Sequence, residues 1–165
     1  MQPQLDGQEN RQTETLLKSV LKGKIVIVGV GNTLRGDDGF GPALAERLRG
    51  EVNALCIDAG TTPENYLGKI AAEKPDTVLI VDAVHLGLPP GRYEILRKHD
   101  ILSAGFTTHD ISPRLFVEYL ERKTEAQIYM LAVQPARLDF GAEISPNVKT
   151  TLDSLSAFLI AETPK

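Results

Sequence analysis

The stretch GVGNTLRGDDGFG spans residues 29–41 and decides how the rest of the chain is interpreted. It follows the apolar run IVIV at residues 25–28 and precedes a segment with helical spacing of apolar residues at 42–49. A strand, a glycine-rich turn and a helix in this order are typical of the binding loop of a parallel α/β protein. Asp37 and Asp38 end the loop, where a phosphate-binding loop needs backbone amides and a cation. The stretch therefore predicts an α/β binding loop of unusual charge.

Outward from this loop, apolar runs alternate with segments of helical periodicity. Further strands are predicted at 54–58, 77–83, 92–96 and 127–133. This alternation predicts an α/β fold with three layers, a doubly wound, mostly parallel five-stranded sheet and helices on both faces. Ligands of such sheets bind beyond the carboxyl ends of the strands, where the strand order reverses. If the first and third strands are neighbours, the loops after both flank that crevice.

Length and composition predict one globular domain at 23–165, preceded by an N-terminal extension at 1–22 that is partly disordered and carries a short helix at 13–21. The chain has 165 residues and a net charge of −4, which argues against nucleic acid as a partner because phosphate contacts need a basic surface. No run is apolar enough to span a bilayer, and the N-terminus lacks a signal pattern. We therefore expect a cytoplasmic protein that is not integral to a membrane. The single cysteine, Cys56, is expected to be a small buried apolar residue.

Three acids are candidates for the crevice. Asp82 interrupts an apolar strand at its carboxyl end, and Asp37 and Asp38 end the loop after the first strand. Each has a structural interpretation as well, because Asp82 could terminate a strand and an acid before a helix interacts favourably with the helix dipole. The two adjacent side chains diverge, so one of the pair is expected to face the crevice.

A histidine could complete this site. His109 precedes a predicted helix, whose N-terminus would lower the imidazole pKa and keep the ring neutral for metal binding. His85 and His99 lie in polar, turn-like segments and are expected on the surface. Two carboxylates and a neutral imidazole suit a borderline divalent metal. A dinucleotide-binding loop is disfavoured because Leu34 stands where its third glycine belongs, and the chain has no Walker lysine or nucleophile elbow.

Four segments together resemble the hydrogenase maturation endopeptidases. They are GVGNTLRGDDGFG, IDAGTTPEN at 57–65, LIVDAVHLG at 79–87 and TTHDIS at 107–112, and they occur in the family's order. The resemblance runs from Ile25 to the C-terminal helix, and the paired acids look closest to the formate-hydrogenlyase (hydrogenase 3) branch. Members of the family remove a short C-terminal extension from the precursor of the [NiFe]-hydrogenase large subunit after nickel insertion.

The resemblance implies a role for several residues. Asp38, Asp82 and His109 would contact nickel, which the substrate carries in, and Asp38 and Asp82 would be catalytic. Substrate binding is predicted for Asn32, Asp37, Thr61 and Thr108. The resemblance leaves open whether the peptidase is aspartic, with a carboxylate as general base, or metal-assisted.

The partner is then the large-subunit precursor, and the protein is expected to act as a monomer. Two alternatives stay open at this point: a nickel-sensing chaperone that binds the precursor without cutting it, and a nucleotide-binding α/β domain.

Overall fold

A five-stranded sheet forms the centre of the protein in a computed structural model that describes residues 3–103 and 113–165. Its strands are β1 (Ile25–Val30), β2 (Leu55–Gly60), β3 (Thr77–Ala83), β4 (Tyr93–Arg97) and β5 (Gln127–Val133). The order across the sheet is β2-β1-β3-β5-β4. The four strands β2, β1, β3 and β5 run parallel, and β4 pairs with β5 in the antiparallel direction. The predicted mostly parallel five-stranded sheet is confirmed.

Helices cover both faces of this sheet, as the sequence predicts. The described helices are α1 (Pro3–Val20), α2 (Phe40–Leu48), α3 (Leu67–Ala72), α4 (Lys98–Ser103), α5 (Pro113–Lys123) and α6 (Pro146–Glu162). Side chains of α1, α2 and α6 form one hydrophobic core with the sheet, and side chains of α3, α4 and α5 form a second core on its other face. Among these helices, none combines the length and the apolar character that crossing a membrane requires.

Strand β3 is the middle strand of the sheet, and every one of its residues is buried. Successive side chains of a strand point to opposite faces. Leu79 and Val81 accordingly enter the core under α2 and α6, whereas Val78 and Ile80 enter the core under α3 and α5. Asp82 continues the second series. Its side chain therefore lies on the α3 and α5 face of the sheet, at the strand's carboxyl end.

Helix α1 differs from the sequence-based expectation. It is continuous from Pro3 to Val20, although residues 1–12 were expected to be disordered and the helix was expected at 13–21. Leu17 and Val20 are buried in the core beside β4, and Leu16 packs against it. This packing stabilises the C-terminal turns. The side chains of residues 7–12 are exposed, and Gln, Glu and Arg, which are frequent there, have good helix propensity.

Helix α2 starts very close to the sheet because two glycines face each other. A Cβ on Gly41 would lie 2.4 Å from the carbonyl oxygens of both Val30 and Val81, and a Cβ on Gly29 would lie 2.2 Å from the Gly41 carbonyl oxygen. The first turn of α2 thus sits over the seam between β1 and β3. This close approach positions the preceding loop, residues 31–39, at the carboxyl edge of the two strands.

Candidate functional site

The candidate site lies where the strand order reverses, between β1 and β3. Gly29 of β1 pairs with Val81 of β3, so the chain leaves both strands at the same edge of the sheet. After β1, a short 3-10 helix at Gly36–Gly39 carries the two adjacent acids. Crevices at this position are the usual ligand sites of doubly wound sheets. The structure therefore brings together the ends of the two strands from which the sequence predicts the site.

Asp38 is held partly open to solvent at this edge. Its Oδ2 accepts a hydrogen bond from the backbone N–H of Asn32 at 2.8 Å, whereas Oδ1 accepts none from the described residues. Its backbone lies against the start of the loop, because a Cβ on Gly31 would be 1.8 Å from the Asp38 carbonyl oxygen. Gly31 has a φ of 147°, which favours glycine. The loop is thus shaped to fix the Asp38 carboxylate through one oxygen, and the side chain stays half-buried.

Asp82 is the second carboxylate at this edge, and it is 2% exposed. It occupies the penultimate position of β3, beside Ala132 of β5. A carboxylate in such a place is costly to keep charged unless a cation or donors face it. The half-buried Asp38 in the loop after β1 and the buried Asp82 at the end of β3 have different environments, and such pairs commonly divide the roles in acid–base chemistry.

Asp37 does not bind substrate in this structure, which corrects the prediction made from the sequence. The side chain is fully buried, and its two oxygens accept four hydrogen bonds of 2.7–3.0 Å. The donors are the backbone N–H groups of Ala136, Arg137 and Ser145 and the hydroxyl of Ser145. These partners leave no surface for a ligand. Asp37 instead ties the loop after β1 to the segment between β5 and α6.

The loop after β2 is joined to the loop that carries Asp38. Gly31 donates its N–H to the carbonyl of Gly60 at 2.9 Å, so the loops after β1 and β2 are joined directly. Asp58 is used locally, because its Oδ1 accepts the N–H of Gly60 at 3.0 Å. Thr61 is exposed beside this junction, and Asn32 is half-buried with its Oδ1 accepting the N–H of Leu34. Substrate binding by Thr61 and Asn32 stays a prediction.

The histidine of the predicted site is outside the described part of the chain. His109 and Thr108 both fall in residues 104–112, so the prediction of a nickel-contacting imidazole and of substrate binding by Thr108 is carried forward unchanged. His85 and His99 are exposed, as expected. Within residues 3–103 and 113–165 there is no group of three histidine, cysteine or acidic side chains arranged to hold a metal ion. The described part of the site is thus a carboxylate pair.

Three polar residues around the site were not identified from the sequence. Ser145 is buried and bonds Asp37, and buried Gln134 accepts the N–H groups of Leu86 and Leu88 and so holds the loop that follows Asp82. Glu64, after β2, has a buried Oε2 without a hydrogen-bond partner among the described residues. A Gln-Pro pair directly after an apolar strand was a usable signal for Gln134. The bonds of Ser145 to Asp37 and the burial of Glu64 Oε2 depend on tertiary contacts that no local pattern reveals.

The donor chemistry of Asp38 and Asp82 fits a weakly bound divalent cation. Carboxylate oxygens without thiolates give modest affinity for a borderline metal such as nickel, and a neutral imidazole would raise it. A phosphate ligand does not fit, because two carboxylates replace the cations and free amides that phosphate needs.

Fold and site together define the class of the protein: a doubly wound α/β protein whose switch-point crevice presents carboxylates. The family model HycI, hydrogenase maturation protease, matches residues 41–162. The Hydrogenase 3 maturation protease of Escherichia coli strain K12 is 32% identical over 133 residues, which cover 79% of this chain and 85% of that protein. The chain belongs to the hydrogenase maturation protease family.

Solved structures agree with this assignment. The crystal structure of a [NiFe] hydrogenase maturation protease HycI from Thermococcus kodakarensis KOD1 is similar with a TM-score of 0.82 and 36% identity, covering 89% of this chain and 97% of that one. The crystal structure of the Hydrogenase 3 Maturation protease gives a TM-score of 0.75 at 32% identity and covers 82% and 88% of the two chains. The protein is therefore a hydrolase of the endopeptidase type.

Proposed function

We propose that this protein removes the C-terminal extension of a nickel-loaded [NiFe]-hydrogenase large-subunit precursor and uses the nickel to recognise its substrate. The observation that carries the proposal is the placement of Asp38 and Asp82 at the adjacent carboxyl ends of β1 and β3, in a chain of the maturation protease family. The similarity to the hydrogenase 3 maturation protease of Escherichia coli supports a substrate of that branch. Two carboxylates at a crevice edge also supply what peptide hydrolysis requires.

Hydrolysis of the scissile peptide needs a group that takes a proton from the attacking water. Asp38, with one oxygen outside its hydrogen bond to Asn32, is the better placed general base of the pair. As water adds to the carbonyl carbon, its proton passes to the Asp38 carboxylate, and the C–N bond breaks once the Asp38 carboxylic acid returns that proton to the amine nitrogen. Asp82, buried beside it, would hold the substrate's nickel and orient the scissile bond. A divalent metal supplies positive charge that polarises a carbonyl and lowers the pKa of water.

Incubation of the purified protein with nickel-loaded precursor, followed by intact mass measurement of the large subunit, tests this function. We expect a shorter large subunit and a released C-terminal peptide. Nickel-free precursor is the matched control, and it should stay intact if nickel is the recognition element. Equal cleavage of both forms would contradict recognition through nickel but would leave the protease activity established. If the C-terminus stays intact in both forms although the precursor binds tightly, the protease proposal is wrong and the alternative of a nickel-sensing chaperone is supported.

A further inference from the structure

Two exposed apolar side chains lie on neighbouring loops close to the candidate site. Phe140 is 78% exposed and Leu34 is 59% exposed, and they are the two most exposed large apolar side chains in the described part of the chain. The backbone N–H of Gly141 donates to the Leu34 carbonyl at 2.7 Å, which joins their two loops directly. Isolated exposed apolar residues are ordinary on protein surfaces, but a neighbouring pair beside a binding crevice indicates a contact surface. We name this pair the Leu34–Phe140 rim.

The loops that carry the rim are held firmly by buried hydrogen bonds. Gly36 donates its N–H to the Ala142 carbonyl at 3.1 Å, and Asp37 donates its N–H to the Arg137 carbonyl at 2.9 Å. The buried Asp37 carboxylate accepts four further bonds from the same segment. These hydrogen bonds hold the backbone of both loops in place, and the side chains of Leu34 and Phe140 remain exposed on them. Such pre-organisation lowers the entropy lost when a partner binds.

The rim is continuous with the catalytic edge through two hydrogen bonds. Leu34 donates its backbone N–H to Asn32 Oδ1 at 2.9 Å, and Asn32 donates its own backbone N–H to Asp38 Oδ2 at 2.8 Å. A molecule seated on the rim therefore lies within a few residues of the Asp38 carboxylate. A peptidase must hold the chain beside the scissile bond as well as at it, and this rim is placed for that contact.

The charged residues around the rim favour neither a positively nor a negatively charged partner. Four exposed charged residues surround it, namely Arg35, Arg137, Asp139 and Glu143, and their formal charges cancel. The guanidinium Nε atoms of Arg35 and Arg137 donate to backbone carbonyls of this segment, which fixes these side chains along it. An apolar partner is thus favoured over a charged one.

We propose that the Leu34–Phe140 rim binds apolar side chains of the precursor next to the bond that is cut, an inference that rests on the proposed function. The rim contributes affinity and register, whereas the carboxylates perform the chemistry. Substitutions on it should therefore raise KM and leave kcat unchanged, because the lost contact is the same in the ground state and the transition state.

Phe140→Ser, Leu34→Ser and the matched control Ile160→Ser, an exposed apolar residue on α6, provide the test. Cleavage kinetics on nickel-loaded precursor and its Kd, from biolayer interferometry, are measured for each. We expect about a tenfold rise in KM and Kd for each rim variant, and kcat within about twofold of the parent. Phe140→Leu should restore most of the affinity. Raising NaCl from about 0.05 M to about 0.5 M should leave the ratio of Kd between each rim variant and the parent unchanged, because the rim itself carries no net charge.

If KM and Kd of both rim variants equal those of Ile160→Ser, the proposal that the rim binds substrate is wrong, and the proposed protease function is unaffected. If the parent protein does not cleave the precursor, the proposed function is wrong. The Kd values of the variants then still show whether the rim binds the precursor. If Phe140→Ser abolishes a dimer in sedimentation while KM and Kd are unchanged, the rim binds a second copy of the chain and the proposal is wrong.

Discussion

The two adjacent acids of the loop after β1 have opposite environments, although the sequence makes them look equivalent. Asp37 is fully buried and accepts four hydrogen bonds, whereas Asp38 is partly exposed and accepts one. One acid therefore builds the loop and the other faces the crevice. The divergence of neighbouring side chains predicted this division, but it did not show which acid would do which.

Asp37→Asn should destabilise the protein by about 3 kcal/mol, because an amide presents N–H groups to donors that now meet a carboxylate. Urea unfolding followed by circular dichroism measures this loss. Asp139→Asn is the control, since Asp139 is exposed, and it should change the free energy of unfolding by less than about 0.5 kcal/mol. Equal stability of the two variants would show that the four bonds to Asp37 contribute little.

The Cys56 thiol should be unreactive in the folded protein. Burial raises its pKa from 9.0 to about 11, against the opposing effect of the Arg49 charge. Because the pKa is raised, the thiol form persists in the folded state up to about pH 11, and stability from this group is lost as pH rises from 9 to 11. At about pH 8 the thiolate fraction, and hence the rate of alkylation by iodoacetamide, should be about 100-fold below that of the unfolded chain. Equal rates with and without urea would contradict burial of the thiol.

At the scale of elements, the close seating of α2 on the seam between β1 and β3 sets the geometry of the site. The contact depends on the absence of side chains at Gly29 and Gly41, which lets helix backbone touch strand backbone. Helix and loop move together with the strand ends as a result. The glycines of this stretch therefore serve helix packing rather than phosphate binding.

Gly41→Ala should destabilise the protein by more than about 3 kcal/mol, because its Cβ would press on two backbone carbonyl oxygens that cannot rotate away. Gly68→Ala is the matched control. Gly68 lies in α3 with open space around it, so an alanine there should stabilise the protein by about 0.5–1 kcal/mol through helix propensity. Thermal unfolding of both variants checks the pair, and a stable Gly41→Ala would contradict the close helix–sheet contact.

Helix α1 should contribute stability through its C-terminal turns alone. Leu17→Ala should cost about 2–4 kcal/mol, because Leu17 is fully buried in the core. Deletion of residues 2–12 should cost less than about 1 kcal/mol, since the side chains described there are exposed and the ion pair of Glu9 with Arg92 is at the surface. Chemical unfolding measures both. A larger loss on deletion than on Leu17→Ala would place the stabilising contacts in the first turns.

At the scale of the molecule, local patterns predicted the parts of the site that lie at strand ends. Asp82 and the loop that ends in Asp38 could be brought together in advance, because parallel strands finish at one edge and periodicity identified β1 and β3. The role of Asp37 was out of reach, since its partners Ala136 and Ser145 lie about a hundred residues away. Its place beside a helix start suggested a favourable charge, and the family resemblance suggested substrate binding. Long-range hydrogen bonds leave no local pattern in the sequence, so the partners of Asp37 could be identified only from the structure.

The Leu34–Phe140 rim illustrates the same limit for surfaces. Each residue alone looks like an ordinary apolar residue in a turn. The backbone bond from Gly141 to Leu34 brings the two loops together across more than a hundred residues of sequence. The topology of the whole protein therefore brings together both the carboxylate pair and the surface beside it. The sequence alone identified the candidate carboxylates but not the surface.

The most direct test of the central claim is single-turnover cleavage of nickel-loaded precursor by the parent protein and by Asp38→Asn and Asp82→Asn, each first shown to be folded. Glu125→Gln, at an exposed position in the segment before β5, serves as a charge-matched control. If the two carboxylates at the β1 and β3 ends form the cleaving site, the parent and the control release the C-terminal peptide, and both site variants are slower by about 100-fold or more. Cleavage at the parent rate by both site variants would contradict this account.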